Sequence, residues 1–69
     1  MAQNICIVDY KFVYKTNEGN KNKFMSFTSS DWFECHNAAK NFVEKNITSQ
    51  GGTLIYEEIL STKSFVDKG

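Results

Sequence analysis

The chain has no proline and no arginine, and only one histidine, two cysteines and four glycines among its 69 residues. Without proline, its turns must be made by glycine, asparagine, aspartate and serine. Without arginine, it lacks the favoured residue for bidentate guanine and phosphate contacts, which argues against a dedicated reader of duplex DNA. One histidine and no CxxC pair leave no ligand set of the spacing structural zinc needs, so neither metal nor cofactor is expected. No apolar run approaches the length of a membrane span. Met1-Ala2-Gln3-Asn4 lacks the basic segment and apolar run of a secretory signal. The expectation is therefore a cytoplasmic, reducing setting in which Cys6 and Cys35 are free and buried. In that setting the match of Asn46-Ile47-Thr48 to the glycosylation sequon is accidental.

What the chain has is aromatic bulk: six Phe, three Tyr and one Trp. A chain this short buries only about 60% of the surface its unfolded form exposes, so large side chains must supply its core. Formal net charge is zero, from eight Lys and eight acidic residues. Residues 1–30 carry four Lys against two acids and residues 31–69 four against six, an asymmetry too mild to name a partner.

The clearest periodic stretch is Ser29 to Ile47. At helical spacing Trp32, Cys35, His36, Ala38, Ala39, Phe42, Val43 and Ile47 share one face, and Glu34, Asn37, Asn41, Glu44 and Lys45 the other. Ser29-Ser30-Asp31 offers capping oxygens, and Gly51-Gly52 follows the last turn. Ile5 to Lys15 alternates as a strand, with Cys6, Val8, Tyr10, Phe12 and Tyr14 on one face. Ile5, Ile7, Asp9, Lys11, Val13 and Lys15 lie on the other. Thr16 to Asn20 is turn chemistry, and Lys21 to Thr28 a second strand. A turn centred on Glu18-Gly19 sets Met25 opposite Phe12, Phe27 opposite Tyr10 and Phe24 opposite Val13. Thr53 to Ser64 reads as a third strand, bulged near Glu57-Glu58, although Glu57-Glu58-Ile59-Leu60 would also suit a helix. Phe65 to Gly69 is its continuation or a frayed tail. With this third strand antiparallel to the first, residues 1–69 form a single α+β domain of order ββαβ. Its three-stranded antiparallel sheet has the long first strand in the middle and one helix packed on one face.

No constellation of catalytic residues emerges, and the chain reads as a non-enzyme. Cys35 and His36 diverge by about 100° on a helix, so they do not converge on a metal or form a nucleophile–base pair. Adjacent Glu57 and Glu58 point to opposite faces of a strand. Two surface features remain. Lys11, Lys15, Lys21 and Lys23, beside Tyr14 and Phe24, form a basic hairpin that could hold single-stranded RNA or DNA by charge and stacking. Ile5, Ile7, Val13 and Phe24, with Ile55 or Ile59 as further members, are apolar on the sheet face away from the helix, and nothing in the chain is left to cover them. Such a patch marks a protein partner or self-association.

In size, in asparagine- and lysine-rich composition without Pro or Arg, and in the order hairpin (Ile5–Thr28), helix (Ser29–Ile47), strand (Thr53–Ser64), the chain resembles small phage-encoded inhibitors of host defence, of which anti-CRISPR proteins are the best-known set. The resemblance implies stoichiometric binding to a host protein or nucleoprotein in the host cytoplasm, without turnover. The reading is thus a small protein-binding inhibitor acting through Ile5, Ile7, Val13 and Phe24 with Lys11, Lys15, Lys21 and Lys23 around them. The alternatives are a small RNA- or ssDNA-binding module and a structural homo-oligomer such as a homodimer; no membrane partner is expected.

Overall fold

A computed structural model describes residues 3–67 and contains three strands and one helix: β1 (Gln3–Thr16), β2 (Gly19–Ser29), α1 (Trp32–Asn46) and β3 (Thr53–Asp67). The sheet is antiparallel in the order β2-β1-β3, so the fold is ββαβ with the first strand central. Residues 1, 2, 68 and 69 of the expected domain and tail lie outside the described residues.

The alternation of β1 decides the core. Cys6, Val8, Tyr10 and Phe12 are buried, and Cys35, Ala39, Val43 and Ile47 of the helical segment close over them. Tyr14, Met25, Phe27, Phe42 and Leu54 pack around this centre. Phe42 stacks on Phe12 with ring centroids 5.6 Å apart and meets Phe27 edge-on at 6.1 Å. Ala39 and Cys35 are the small side chains that let the helix approach this closely. Trp32, expected on the buried face, is 44% exposed and stacks on His36 at 5.2 Å instead. It belongs to the first turn of the helix.

The helix starts where capping chemistry allows. Asp31 accepts a hydrogen bond from the Glu34 N–H at 2.8 Å, satisfying one of the unpaired donors of the first turn. The Ser29 and Ser30 hydroxyls both donate to the Glu34 carboxylate and hold its pKa below the ordinary range. At the far end a short 3₁₀ turn (Thr48–Gln50) follows, and Gly51 takes the left-handed conformation at φ 85°. The Gly52 N–H then donates to the Ile47 carbonyl at 2.8 Å. A Cβ on Gly52 would stand 3.0 Å from that same oxygen, which is why the second glycine is there.

The hairpin register differs from the expected one by two residues. Thr16 pairs with Gly19, so the turn lies on Asn17-Glu18, and Tyr10 faces Met25, Val8 faces Phe27 and Lys11 faces Phe24. Thr16 Oγ1 accepts from the Glu18 N–H at 3.1 Å, drawing the turn one residue earlier, and Gly19 takes the positive φ of 115° just after it. A slip of two keeps every side chain on its face, so the core composition is unaffected.

β3 runs on past Ser64, and of the two expectations for the tail it is continuation that holds, with Phe65, Val66 and Asp67 extending the ladder to Gln3. The register shifts twice, between Asp9 and Tyr10 and between Val13 and Tyr14, leaving Leu60 and Ile55 as extra residues on β3 on either side of Glu57-Glu58. Each bulge reverses the alternation of the strand. That explains why its pattern read ambiguously.

Candidate protein-binding surface

The sheet face away from the helix is built on the outward row of β1. From Ile7 onward each residue there has a partner on both sides, whereas Ile5 is paired on the β3 side. Ile5 lies opposite Phe65, Ile7 between Thr28 and Lys63, Asp9 between Ser26 and Ser61, Lys11 between Phe24 and Glu58, and Val13 between Asn22 and Tyr56. Two apolar groups result, Ile5 with Phe65 at one end and Val13 with Tyr56 and Phe24 at the other. Phe24 is 64% exposed, Tyr56 47% and Phe65 49%.

Phe24 is not directly opposite Val13, as the expected register had it. The two are diagonal neighbours on the same face, about 7–8 Å apart by strand geometry, still within reach of one partner side chain. Between the apolar ends sits a polar clasp. The Ser26 hydroxyl donates to Asp9 Oδ1 at 2.5 Å and the Ser61 hydroxyl to Oδ2 at 2.6 Å. These bonds, helped by the Lys63 charge, lower the Asp9 pKa. The clasp ties all three strands together on a face with no helix.

The four lysines are divided between the faces. Lys11 and Lys15 lie in the outward row, whereas Lys21 pairs with Tyr14 and Lys23 with Phe12, on the helix side. Lys21 is also engaged by Glu18 at 3.0 Å, which raises its pKa. The basic hairpin therefore presents Lys11 and Lys15 on the face that carries Phe24, Lys11 directly opposite it, and Lys21 and Lys23 on the face that carries Tyr14.

Tyr56 and Phe65 are members of the surface that periodicity did not identify. Ile59, a candidate for the outward face, pairs with Tyr10 and lies on the helix side, while Ile55 is a bulge residue. The register shift at Leu60 is the reason for Tyr56 and Ile59, and Phe65 lies in the segment expected to be a continuation or a frayed tail. Only the positions of the β1 partners reveal which β3 residues face outward.

The chemistry of the buried groups is quiet. Cys6 and Cys35 are buried free thiols. The Cys35 Sγ donates to the carbonyls of Cys6 and Phe27 at 3.4 Å each, and burial pushes its pKa up. The Tyr10 hydroxyl and His36 Nδ1 are buried without hydrogen-bond partners, and burial, followed by the Glu57 charge, raises the Tyr10 pKa. A hollow of about 480 Å³ is lined by Gln3, Asn4, Ile5, Thr28, Ser29 and Ser30, none of them an acid, a base or a thiol. Among the described residues no group of three His, Cys, Asp or Glu side chains stands where it could hold a metal ion, and no helix is long and apolar enough to cross a membrane.

No protein-family model, no curated protein and no solved structure matches the chain.

Proposed function

We propose that the protein is a small, non-catalytic binding module that inhibits a larger host protein or nucleoprotein by occlusion, in the manner of phage anti-defence inhibitors. The observation that carries this reading is the uncovered outward face of the sheet, where Phe24, Tyr56, Phe65, Val13 and Ile5 surround the Asp9 clasp. Apolar anchors beside polar and charged neighbours are the composition of a protein interface. The inhibitor class rests on the resemblance in size, composition and element order, and the site of action it implies is the host cytoplasm. The nucleic-acid alternative draws less support, because the hairpin lysines are shared between two faces.

The test is capture from a bacterial lysate by the tagged protein, compared with a variant carrying Val13→Ser and Phe24→Ser. Wild type should retain one target at fixed stoichiometry. The double variant should keep its circular dichroism spectrum and melting temperature nearly unchanged, yet lose the target, because a few large anchors carry most of the binding energy. Equal retention by both proteins would remove this face as the contact surface.

A further inference from the structure

Six of the nine large apolar residues left exposed are on one strand, β3: Ile55, Tyr56, Ile59, Leu60, Phe65 and Val66. That strand is at the edge of the sheet, with β1 on one side and no described strand on the other. An edge 15 residues long and rich in apolar side chains is a template for pairing with another strand. The sequence of β3 indicates which strand.

Position along β3 can be measured by the β1 residue opposite. Ser61 lies opposite Asp9, midway between Asp67 opposite Gln3 and Thr53 opposite Lys15. A two-fold axis at Ser61 therefore overlaps the whole strand with a second copy of itself. Lys63 and Glu58, opposite Ile7 and Lys11, are then equally far from the axis and meet across it. Phe65 and Tyr56, opposite Ile5 and Val13, do the same. These four are on the face away from the helix. On the helix face Val66 meets Leu54 and Thr62 meets Ile59. Every one of these pairs occurs twice in a two-fold dimer. Neither bulge spoils the agreement, because positions are counted along β1.

We propose that the protein forms a two-fold homodimer in which β3 pairs antiparallel with β3 of a second copy, centred on Ser61. The product is one six-stranded sheet with the helices on one side and the apolar outward faces of both copies continuous on the other. Bulges and charges ordinarily keep an edge strand single. Here Glu58 and Lys63 are instead complements about the axis, and Glu57 meets Ser64 rather than a like charge. The contact runs along the thirteen positions of β1 that β3 covers, roughly 40 Å. A strip about 10 Å deep along it buries on the order of 400 Å² per copy, roughly 800 Å² in total before overhanging side chains such as Tyr56 and Phe65 are counted, the scale of a small, concentration-dependent interface. This inference goes beyond the target-binding reading and does not depend on it.

Light scattering or sedimentation of the purified protein, with no target present, tests it. Wild type should be a dimer. Lys63→Glu, which sets like charges opposite each other twice, should weaken association by roughly tenfold or more. Glu58→Lys should do the same, and the variant carrying both reversals should regain the dimer. Should either single variant lose its fold, Ser61→Cys decides: two copies of that residue meet on the axis, so mild oxidation should give a disulfide-linked dimer, while Lys23→Cys on β2 should give none. A protein that stays monomeric at millimolar concentration overturns the proposal. So does a dimer that resists both single reversals, or one abolished by the Val13→Ser, Phe24→Ser variant instead.

Discussion

At the scale of single residues, two groups have environments with measurable consequences. Asp9 receives hydroxyl protons from β2 and β3, and its pKa is lowered, by the Ser26 bond first. A carboxylate depressed on folding contributes stability that is present in full above its unfolded pKa and lost as pH falls through its folded one. Asp9→Asn should therefore lower the melting temperature at neutral pH, and the gap from wild type should close as the solution is taken from about pH 5 downward. A gap independent of pH would mean that the bonds seen here do not favour the ionised form. Cys35 is the opposite case, with its pKa raised by burial and its Sγ donating to two carbonyls. The thiolate is the form that attacks thiol reagents, so native protein should label slowly and unfolded protein at both Cys6 and Cys35. Rapid labelling of the native state would contradict the closed core.

At the scale of elements, the helix is held by its ends and its aromatic contact. Gly51 adopts a φ of 85° with nothing near the position of a Cβ, so the cost of a side chain there is purely conformational. Gly51→Ala should destabilise by about 1–2 kcal/mol, and Gly51→Asn by less, as read from denaturant midpoints. Phe42, half-buried against Phe12 and Phe27, should cost about 3 kcal/mol on truncation to alanine, near the low end for a Phe because its ring is not fully enclosed. An unchanged midpoint would mean that the helix does not depend on this contact. The helix was legible in the sequence because caps and apolar spacing agree over Asp31 to Ile47. The hairpin register was not, because two turns one residue apart were equally plausible and both keep Tyr10, Phe12, Met25 and Phe27 on one face. Thr16 and its bond to the Glu18 N–H made the difference.

At the scale of the molecule, shape is the informative quantity. The extents are 48 × 20 × 15 Å and the radius of gyration is 14.0 Å. A compact chain of this length would have a radius of about 11 Å. The excess comes from long strands in a sheet that one helix covers only in part, and a molecule so elongated exposes surface that other chains can cover. Solution scattering should return close to 14.0 Å for the Lys63→Glu variant if it is monomeric, and a larger value for wild type. A smaller radius for the variant would mean that β3 folds back on the monomer.

The sequence by itself determined the element order, the buried row Cys6, Val8, Tyr10 and Phe12, and the helix that covers it, because those features are local and periodic. Pleat and helix repeat on intervals of two and 3.6 residues, and a side chain's face follows from its position in the repeat. It also determined that β1 carries a second, outward row of mixed apolar and charged residues. Only the tertiary structure decided how β3 is disposed. The bulge at Leu60 reverses its alternation, so Ile59 falls on the helix side of the sheet and Tyr56 joins Phe65 on the outward side, and no period read along β3 alone can place them. The division of the lysines between faces and the symmetry of β3 about Ser61 are likewise properties of pairing. Register across strands joins residues up to 64 positions apart, from Gln3 to Asp67, and no local pattern carries that information.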